Sequence, residues 1–556
     1  MKNLKLKKIV IGIVFILAFL PTFWRMLKPG IFSMQDWQFF RLFEFDKCIQ
    51  DLQIPCRWAP DIDFQYGQPI FNFYGQFSFA IGEMFHLLGL SIIDSTKALF
   101  IVSLVGSAFT MFLLSSNLWR SRLAGVISAL LYVYAPYRAV DVYVRGALPE
   151  AMAFIYFPLI TYFFNRFVKE KKISLLVWFC LAFSALIITH NLSALMYLFF
   201  IIPWSIYFLT KEKAWNLWKS FLVSGFIIFG LSAFYLLPAI FESQYISLKN
   251  TIQGYFDFHN HFATLNELLI SRYWGYGASN WGKKDLSISV GHIQWILPLL
   301  ILGTFIVRRS LKQYSQFIFI LLIGWGMLFL THNKTTWVWE NLVFLQYIQF
   351  PWRFLSVAIL AFSLSSGVVI ILIKGRILKF GLLAVVTALL IGLNTPFFFE
   401  DLWYNVSDKE FFSGIWFERE ISASPADYWP IFGINTPTKK AEKNVSFMNG
   451  LGEGYLISKN SNYQKYQISV SSASALIQFS TVYFPGWEAH WNDNKMNIYP
   501  SGNLGLITAN IQQGSGIMEL KFKDTPIRIL GNYLTLFSVF GLAVFILITK
   551  LKLLKK

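Results

Sequence analysis

The chain has 556 residues, of which 55% are hydrophobic and only 14% charged, with 58 phenylalanines and a mean hydropathy of +0.51. These proportions exclude a water-soluble globular protein of this length and indicate a polytopic membrane protein. The net charge is +18, and the chain contains three cysteines.

Apolar runs long enough to cross a bilayer, which takes roughly 17–25 helical residues, predict an all-α membrane protein with about twelve spans. The run 75–90 is short and contains Glu83 and His86, so we predict that it forms an amphipathic helix in the membrane interface. The predicted spans are 9–25, 96–119, 122–137, 150–168, 173–190, 192–210, 220–241, 292–307, 315–331, 354–373, 379–396 and 528–549.

With this assignment, the seven clusters of lysine and arginine that flank the predicted spans fall on one side of the membrane. The clusters hold 23 basic residues and two acids, Glu170 and Glu212, a balance of +21 in a chain of +18. The positive-inside rule predicts that this side, with both termini, is cytoplasmic. The positive charge is therefore a topology signal, and it predicts a multi-pass plasma-membrane protein that binds no nucleic acid.

The predicted organisation has three parts: a transmembrane domain at 1–396 with a first outer loop at 27–95, an extracytoplasmic segment at 397–527, and a final helix with a basic tail at 528–556. Within the second part, polar and apolar residues alternate between Pro-Gly and Gly-Ser turns. This pattern predicts a small β-sandwich-like module at about 455–522.

Residues that could do chemistry begin in the first outer loop. Asp36 follows the first span closely, so it is either a base that takes a proton from an acceptor hydroxyl at the interface or a solvated loop carboxylate. Asp61 and Asp63 form a weak candidate site for a divalent cation, although short acids also favour turns. Cys48 and Cys56 flank a bend, and they either form a disulfide or stay free thiols.

The predicted third outer turn, residues 134–150, contains two arginines and two acids between apolar helices. Charge near hydrocarbon is expensive and is usually paired or functional. Arg138 and Arg145 either bind a phosphate, which suits the forked guanidinium, or form an internal lock with Asp141 and Glu150. Polar groups at other helix ends complete a predicted ring around one outer cavity: His190, Asn191, Gln349, Trp352 and Arg353.

Other signals narrow the class of protein. The predicted spans contain essentially no charged residue at mid-depth, whereas ion-coupled transporters usually need one. The sequence has no phosphate-binding loop and no H-E-x-x-H motif. Trp274 lies in an aromatic segment, 272–277, that is either a sugar platform or part of an interfacial aromatic belt.

The polar motifs of the outer loops are distinctive: Asp36-x4-Arg41, Arg57-Trp58-Ala59-Pro60-Asp61, Tyr66-Gly67-x-Pro69-x-Phe71-x-Phe73-Tyr74, Tyr143-Val144-Arg145-Gly146-Ala147-x2-Glu150, His190-Asn191-Leu192 and Gln349-Phe350-Pro351-Trp352-Arg353. Over nearly its whole length the chain resembles bacterial membrane proteins described as 6-pyruvoyl-tetrahydropterin synthase-related, which neighbour the YfhO-like proteins. The order of loops and spans also resembles the GT-C superfamily of membrane glycosyltransferases, which use polyprenyl-phosphate sugars. Nothing in the sequence indicates pterin chemistry, since no cluster of three zinc-ligand histidines is evident.

The resemblance implies an integral-membrane glycosyltransferase that transfers a sugar from a polyprenyl-phosphate donor to a cell-wall polymer or glycolipid at the extracytoplasmic face, with Asp36 as the general base. The alternatives are a non-catalytic or flippase-like protein that binds the same lipid, and an envelope assembly protein. No cofactor follows from the sequence, and a divalent metal remains open. We expect Arg138, Arg145, Arg353, Arg41 and Arg57 at the donor phosphate, and substrate contacts from Trp58, Asp61, Tyr66, Tyr74, Asp141, Glu150, His190, Asn191, Trp274, Gln349 and Trp352.

Overall fold

The computed structural model describes residues 12, 15–280, 285–423 and 428–554. The fold is mostly helical, at 61%. Among the described residues, eight helices are long and apolar enough to cross a membrane, which is compatible with a multi-pass membrane protein. They are Ile92–Leu118, Leu148–Glu170, Asn191–Lys211, Trp215–Tyr245, Leu311–Leu330, Pro351–Leu372, Arg376–Phe397 and Pro526–Ile548.

The predicted count of about twelve spans is not confirmed, and four predicted spans account for the difference. The first, 9–25, lies partly outside the described residues, and its described end contains the short 3₁₀ helices Leu20–Thr22 and Trp24–Leu27. Another divides into Arg122–Val133 and Pro136–Val144, which are bent by 54°, because the residue before a proline disfavours helical geometry. The last two are the apolar helices Ile173–Thr189 and His292–Val307, with 17 and 16 residues.

The chain forms two compact units, and both draw on segments from distant parts of the sequence. The first unit comprises Met1–Gln38, Ile93–Ile228 and Ile252–Val406, and the second comprises Phe39–Ile92, Phe229–Thr251 and Ser407–Lys556.

The core of the first unit is the helix Leu355–Ser366, in which all 12 residues are buried. It packs against Ser315–Leu330 and Arg122–Val133. The unit also contains a small antiparallel pair of strands, β1 (Ile31–Phe32) and β2 (Trp403–Tyr404). These strands hold the end of the unit's first segment beside the end of its last.

The second unit contains, within the described residues, a seven-stranded antiparallel sheet at 445–522. The predicted alternation is visible in β5, where Tyr466 and Ile468 are buried while Gln467 and Ser469 are exposed. The C-terminal β region predicted from the sequence is therefore present, although it begins about ten residues earlier. The strands are β3 (Val445–Asn449), β4 (Gly452–Lys459), β5 (Tyr463–Val482), β6 (Trp487–Trp491), β7 (Asn494–Met496), β8 (Tyr499–Ser501) and β9 (Leu506–Phe522), in the order β3-β5-β9-β6-β7, with β4 beside β5 and β8 beside β9.

The described part of the second unit also contains most of the first loop, which forms the helices Gln38–Gln50 and Phe77–Leu87. Cys48 and Cys56 are joined by a disulfide. The 11-residue helix Phe77–Leu87 is too short to cross a bilayer. It exposes Met84 and Leu87, as an interfacial helix would, and its place in the interface stays a prediction.

Candidate functional site

Five side chains of the first unit form one buried ionic cluster, and Glu150 is its centre. The Tyr137 hydroxyl donates to Oε1 of Glu150 at 2.5 Å, and Nη1 of Arg145 donates to Oε2 at 2.9 Å. Nε of Arg353 lies 3.4 Å from the same Oε2. Nη1 of Arg145 also donates to Oδ1 of Asp141 at 2.5 Å. The structure thus brings together four of the charged residues predicted at this site.

The local sequence explains how these groups meet. A π-helical turn, Val140–Val144, leads directly to Arg145. Gly146 then adopts a left-handed φ of +62°, which glycine tolerates best. The next helix starts at Leu148, so Glu150 lies in its first turn, where the helix dipole stabilises negative charge.

The motif 349–353 provides the other wall of the cluster. Nη1 of Arg353 donates to the Ile348 carbonyl at 2.7 Å and to Oε1 of Gln349 at 3.1 Å. The Arg145 guanidinium lies 4.7 Å from the centroid of the Trp352 ring. Trp352 is held in place because its indole N–H donates to the Ser279 hydroxyl at 3.1 Å.

The loop that carries Asp36 is hydrogen-bonded to the turn that carries Arg145. The Gln35 amide donates to the Val144 carbonyl at 3.0 Å. Oδ1 of Asp36 accepts from the Trp37 amide at 3.0 Å and Oδ2 accepts from Nε2 of Gln38 at 2.7 Å. Asp36 is only half-buried. A carboxylate accessible to water is therefore held beside the turn leading into the cluster.

The aromatic segment 272–277 reaches the same loop. Nε2 of Gln35 donates to the carbonyls of Tyr276 and Gly277, at 3.0 and 2.9 Å. The half-buried Trp274 packs edge-on against Tyr276, with 6.0 Å between the ring centroids. The structure therefore places the segment of Trp274 beside the Asp36 loop, whether its role is a sugar platform or an aromatic belt.

Arg138, also predicted to bind the donor phosphate, is completely buried. Its guanidinium donates to the carbonyls of Ala151 and Ser103, at 3.0 and 3.1 Å. These bonds tie neighbouring helices together. With Arg138 included, this region holds three arginines and two carboxylates, a formal charge of +1.

His190 and Asn191 lie at the junction of two apolar helices in the first unit. Nδ1 of His190 lies 2.6 Å from the Ser193 hydroxyl. Asn191 is exposed, and its side chain accepts from the Leu192 amide at 2.9 Å.

The remaining predicted site residues belong to the second unit, and two of them stack on each other. Arg41 donates to the Tyr74 hydroxyl at 3.0 Å and lies 4.1 Å from the centroid of that ring.

Trp58 is completely buried, and its ring centroid lies 5.0 Å from that of Phe522. Trp58 therefore has the position of a core side chain. Tyr66 is 7% exposed and lines a cavity of the sheet.

Arg57 bonds to groups from three separate segments of the second unit. Its guanidinium donates to Oδ1 of Asn72 at 3.3 Å, to the Phe234 carbonyl at 2.9 Å and to Oδ1 of Asn532 at 3.0 Å. Its Nε lies 3.7 Å from Oδ1 of Asp524. These contacts give Arg57 the position of an internal cross-link.

The two acids proposed for a metal are both engaged with protein groups. Asp61 forms an ion pair with Lys47, and Oδ2 of Asp63 accepts from Nε2 of Gln68 at 2.9 Å. Burial would raise the pKa of Asp61, but the Lys47 ammonium, together with Lys459 and a hydrogen bond from Gln65, keeps that pKa below its usual range. Among the described residues, no group of three or more His, Cys, Asp or Glu side chains is arranged to hold a metal ion.

The sequence reasoning missed a second buried ion pair, between Glu242 and Arg528. Nε of Arg528 donates to Oε2 of Glu242 at 2.9 Å, and both side chains are almost completely buried. The sequence did contain a signal for this pair, because the two opposite charges lie at predicted helix ends on the same side of the membrane.

Comparison with known proteins assigns no family to the chain. No protein-family model matches it, and no curated protein matches it significantly.

Proposed function

We propose that the protein is an integral-membrane glycosyltransferase that transfers a sugar from a polyprenyl-phosphate donor to an acceptor hydroxyl. One observation carries the proposal. The half-buried carboxylate of Asp36 lies on a loop that is hydrogen-bonded to the turn before Arg145, and Arg145 shares Glu150 with Arg353. The proposed general base and the two arginines proposed to bind phosphate therefore belong to one compact unit.

In the proposed reaction, the acceptor oxygen attacks the anomeric carbon of the donor sugar and forms the new glycosidic bond. Asp36 takes the hydroxyl proton. The bond between the anomeric carbon and the phosphate oxygen breaks, so polyprenyl phosphate leaves and the anomeric configuration inverts. Arg145 and Arg353 stabilise the negative charge that develops on the departing phosphate.

We place this reaction at the extracytoplasmic face, with both termini in the cytoplasm, because the basic clusters of the sequence favour that orientation. The acceptor would then be a cell-wall polymer or a glycolipid. Asp36 follows the first apolar segment closely, so a lipid-linked donor and a water-borne acceptor could meet there.

A second candidate is a non-catalytic protein that binds a polyprenyl lipid. It is favoured by the contacts of Arg145 and Arg353, which already bond to protein carboxylates and carbonyls. In this candidate the cluster is a structural lock, and Asp36 takes no proton.

The test compares three purified full-length proteins: the wild type, Asp36→Asn and Asp493→Asn. Asp493 is the matched control because it lies in an exposed turn with a φ of +67°, which asparagine tolerates well. Each protein is incubated with a panel of radiolabelled polyprenyl-phosphate sugars and crude envelope, and released polyprenyl phosphate is measured. We expect release by the wild type and Asp493→Asn, and release by Asp36→Asn that is lower by about 10²-fold or more.

Equal release by Asp36→Asn and the wild type would remove Asp36 from the mechanism. Lipid binding without release by all three proteins would support the non-catalytic candidate.

A further inference from the structure

Two stacked aromatic rings of the first unit support the arginines proposed to bind phosphate. The rings of Phe350 and Trp352 are stacked, with 4.9 Å between their centroids. The Arg145 guanidinium lies 4.7 Å from the centroid of the Trp352 ring. The Arg353 guanidinium lies 4.8 Å from the centroid of the Phe350 ring. Because a ring face attracts a cation at such distances, the placement of the two rings helps to set the placement of the two arginines.

The backbone that carries these rings is strained at Gln349. This residue has a φ of +66° and a ψ of −50°, and the Phe350 amide donates to the Ile348 carbonyl at 2.7 Å. The bond closes a three-residue turn of the rare γ type with a positive φ. Such conformations persist only where the surrounding structure fixes them, and they cluster at binding sites. The turn therefore depends on contacts that hold the two rings from outside the motif 349–353.

His261 contacts one ring directly and the other through a serine. Its imidazole packs edge-on against Phe350, with 4.6 Å between the ring centroids. The Trp352 indole N–H donates to the Ser279 hydroxyl at 3.1 Å, and Nδ1 of His261 lies 2.8 Å from that hydroxyl. Nε2 of His261 lies 2.5 Å from the Tyr255 carbonyl oxygen.

The partners of His261 define the direction of these hydrogen bonds. A carbonyl only accepts, so Nε2 carries a proton, and in the neutral imidazole Nδ1 then accepts from the Ser279 hydroxyl. Donation therefore runs from Trp352 through Ser279 and His261 to the Tyr255 carbonyl. The side chains of His261, Ser279 and Trp352 are almost completely buried, and a buried donor left without an acceptor is costly. The chain thereby fixes the plane of the Trp352 ring.

We propose that His261 is a positioning residue of the donor site. It holds Phe350 and Trp352 so that Arg145 and Arg353 receive the donor phosphate together. The inference rests on the proposed function, and it adds a residue that takes no proton and acts only through the two rings. Loss of His261 should therefore weaken recognition of the phosphate and leave recognition of the polyprenyl chain unchanged, whereas a role in folding alone would weaken both.

The first test measures calorimetric binding of undecaprenyl phosphate and of neutral undecaprenol to the full-length protein in detergent. The ratio of the two dissociation constants gives the phosphate preference. We expect His261→Gln to lower this preference about 10-fold or more and to bind undecaprenol like the wild type. His259→Gln is the matched control, because His259 lies on the same segment but is exposed and pairs with Asp257 and Glu340.

The outcomes separate this inference from the proposed function. If the wild type prefers the phosphate and His261→Gln keeps that preference, the inference alone fails. Equal weakening of both lipids in His261→Gln, or equal loss of preference in both histidine variants, also rejects the positioning role. If the wild type binds undecaprenol as tightly as undecaprenyl phosphate, the arginines bind no phosphate, and the proposed function fails together with the inference.

A double-mutant cycle tests the hydrogen-bond chain with smaller changes. Trp352→Phe keeps an aromatic ring beside Arg145 but removes the indole N–H, so Ser279 loses the donor that it accepts. Ser279→Ala should lower the phosphate preference about 5-fold in the wild type and have little further effect in Trp352→Phe. If the two effects multiply instead, the serine and the indole act independently, and the chain does not position the site.

Discussion

Glu150 accepts the bonds that hold the first unit's ionic cluster together, so Glu150→Gln should destabilise the protein. The carboxylate is 1% exposed. It accepts from the Tyr137 hydroxyl at 2.5 Å and from Arg145 at 2.9 Å, and it lies 3.4 Å from Nε of Arg353. Glutamine keeps the shape and one acceptor oxygen, but it leaves two arginines facing one carboxylate, that of Asp141.

The size of the effect follows from burial. Removing one partner of a buried ion pair costs about 3–5 kcal/mol, because the remaining charge stays desolvated and uncompensated. The helix Leu148–Glu170 offers a matched control at its other end. Glu170 pairs with Arg166 on the surface, where water screens the interaction. We expect Glu170→Gln to leave the free energy of unfolding unchanged within error.

The assay is denaturant unfolding of the purified proteins in detergent micelles, followed by tryptophan fluorescence. A midpoint for Glu150→Gln equal to that of Glu170→Gln would refute the reasoning. A double variant, Glu150→Gln/Arg353→Gln, gives a further check, because it removes the surplus positive charge. It should recover part of the stability lost in Glu150→Gln.

Three further predictions concern the second unit. Burial and Asp46 raise the pKa of Glu83 from 4.5 to about 7. Between these two pH values the folded state binds more protons than the unfolded chain, so the free energy of unfolding should fall by about 1–2 kcal/mol as the pH rises. Glu83→Gln should abolish this fall, which melting curves at pH 5 and pH 8 would show. Replacing Cys48 and Cys56 by serine opens a disulfide across 8 positions, and unfolding free energy should drop by about 2–3 kcal/mol. Gly230→Val should lower the melting temperature by several degrees, because a Cβ there would lie 2.1 Å from a serine hydroxyl of the final helix.

Each of these predictions has its own check. Gly225 lies in the same helix as Gly230 but has no atom within 4 Å of an added Cβ, so Gly225→Val should melt with the wild type. If the cysteine variant has the same free energy of unfolding as the wild type under both reducing and oxidising conditions, the disulfide does not stabilise the fold. A persistent pH dependence in Glu83→Gln would assign the titration to another group.

Hydropathy predicted most of the long helices well, because a long apolar run has few alternatives to a buried or lipid-facing helix. The predicted span 150–168, for example, is the helix Leu148–Glu170. Hydropathy could not predict the 54° bend between Arg122–Val133 and Pro136–Val144. A window average does not record that a proline inside an apolar run changes the direction of the chain.

The sequence also located the polar groups of the candidate site without showing how they pair. Charges at 134–150 and 349–353 indicated either a phosphate site or an internal lock, because a list of charges contains no distances. Trp58 shows the same limit for aromatic residues. Its surroundings in the sequence are polar, but it packs against Phe522, which only the tertiary fold brings near. The pair Glu242 and Arg528 was missed for the same reason.

The lock and the phosphate site make opposite predictions for one variant. A donor phosphate at Arg145 and Arg353 would compete with the Glu150 carboxylate, which already binds both arginines. Glu150→Gln should then bind polyprenyl phosphate about 5- to 10-fold more tightly than Glu170→Gln, at the stability cost described above, because a neutral amide competes less well for the guanidinium groups. If the cluster is only a lock, its disruption should leave lipid affinity unchanged or reduce it. Tighter binding by a less stable protein would therefore show that these arginines hold the phosphate, and the opposite result would show that they hold only the fold.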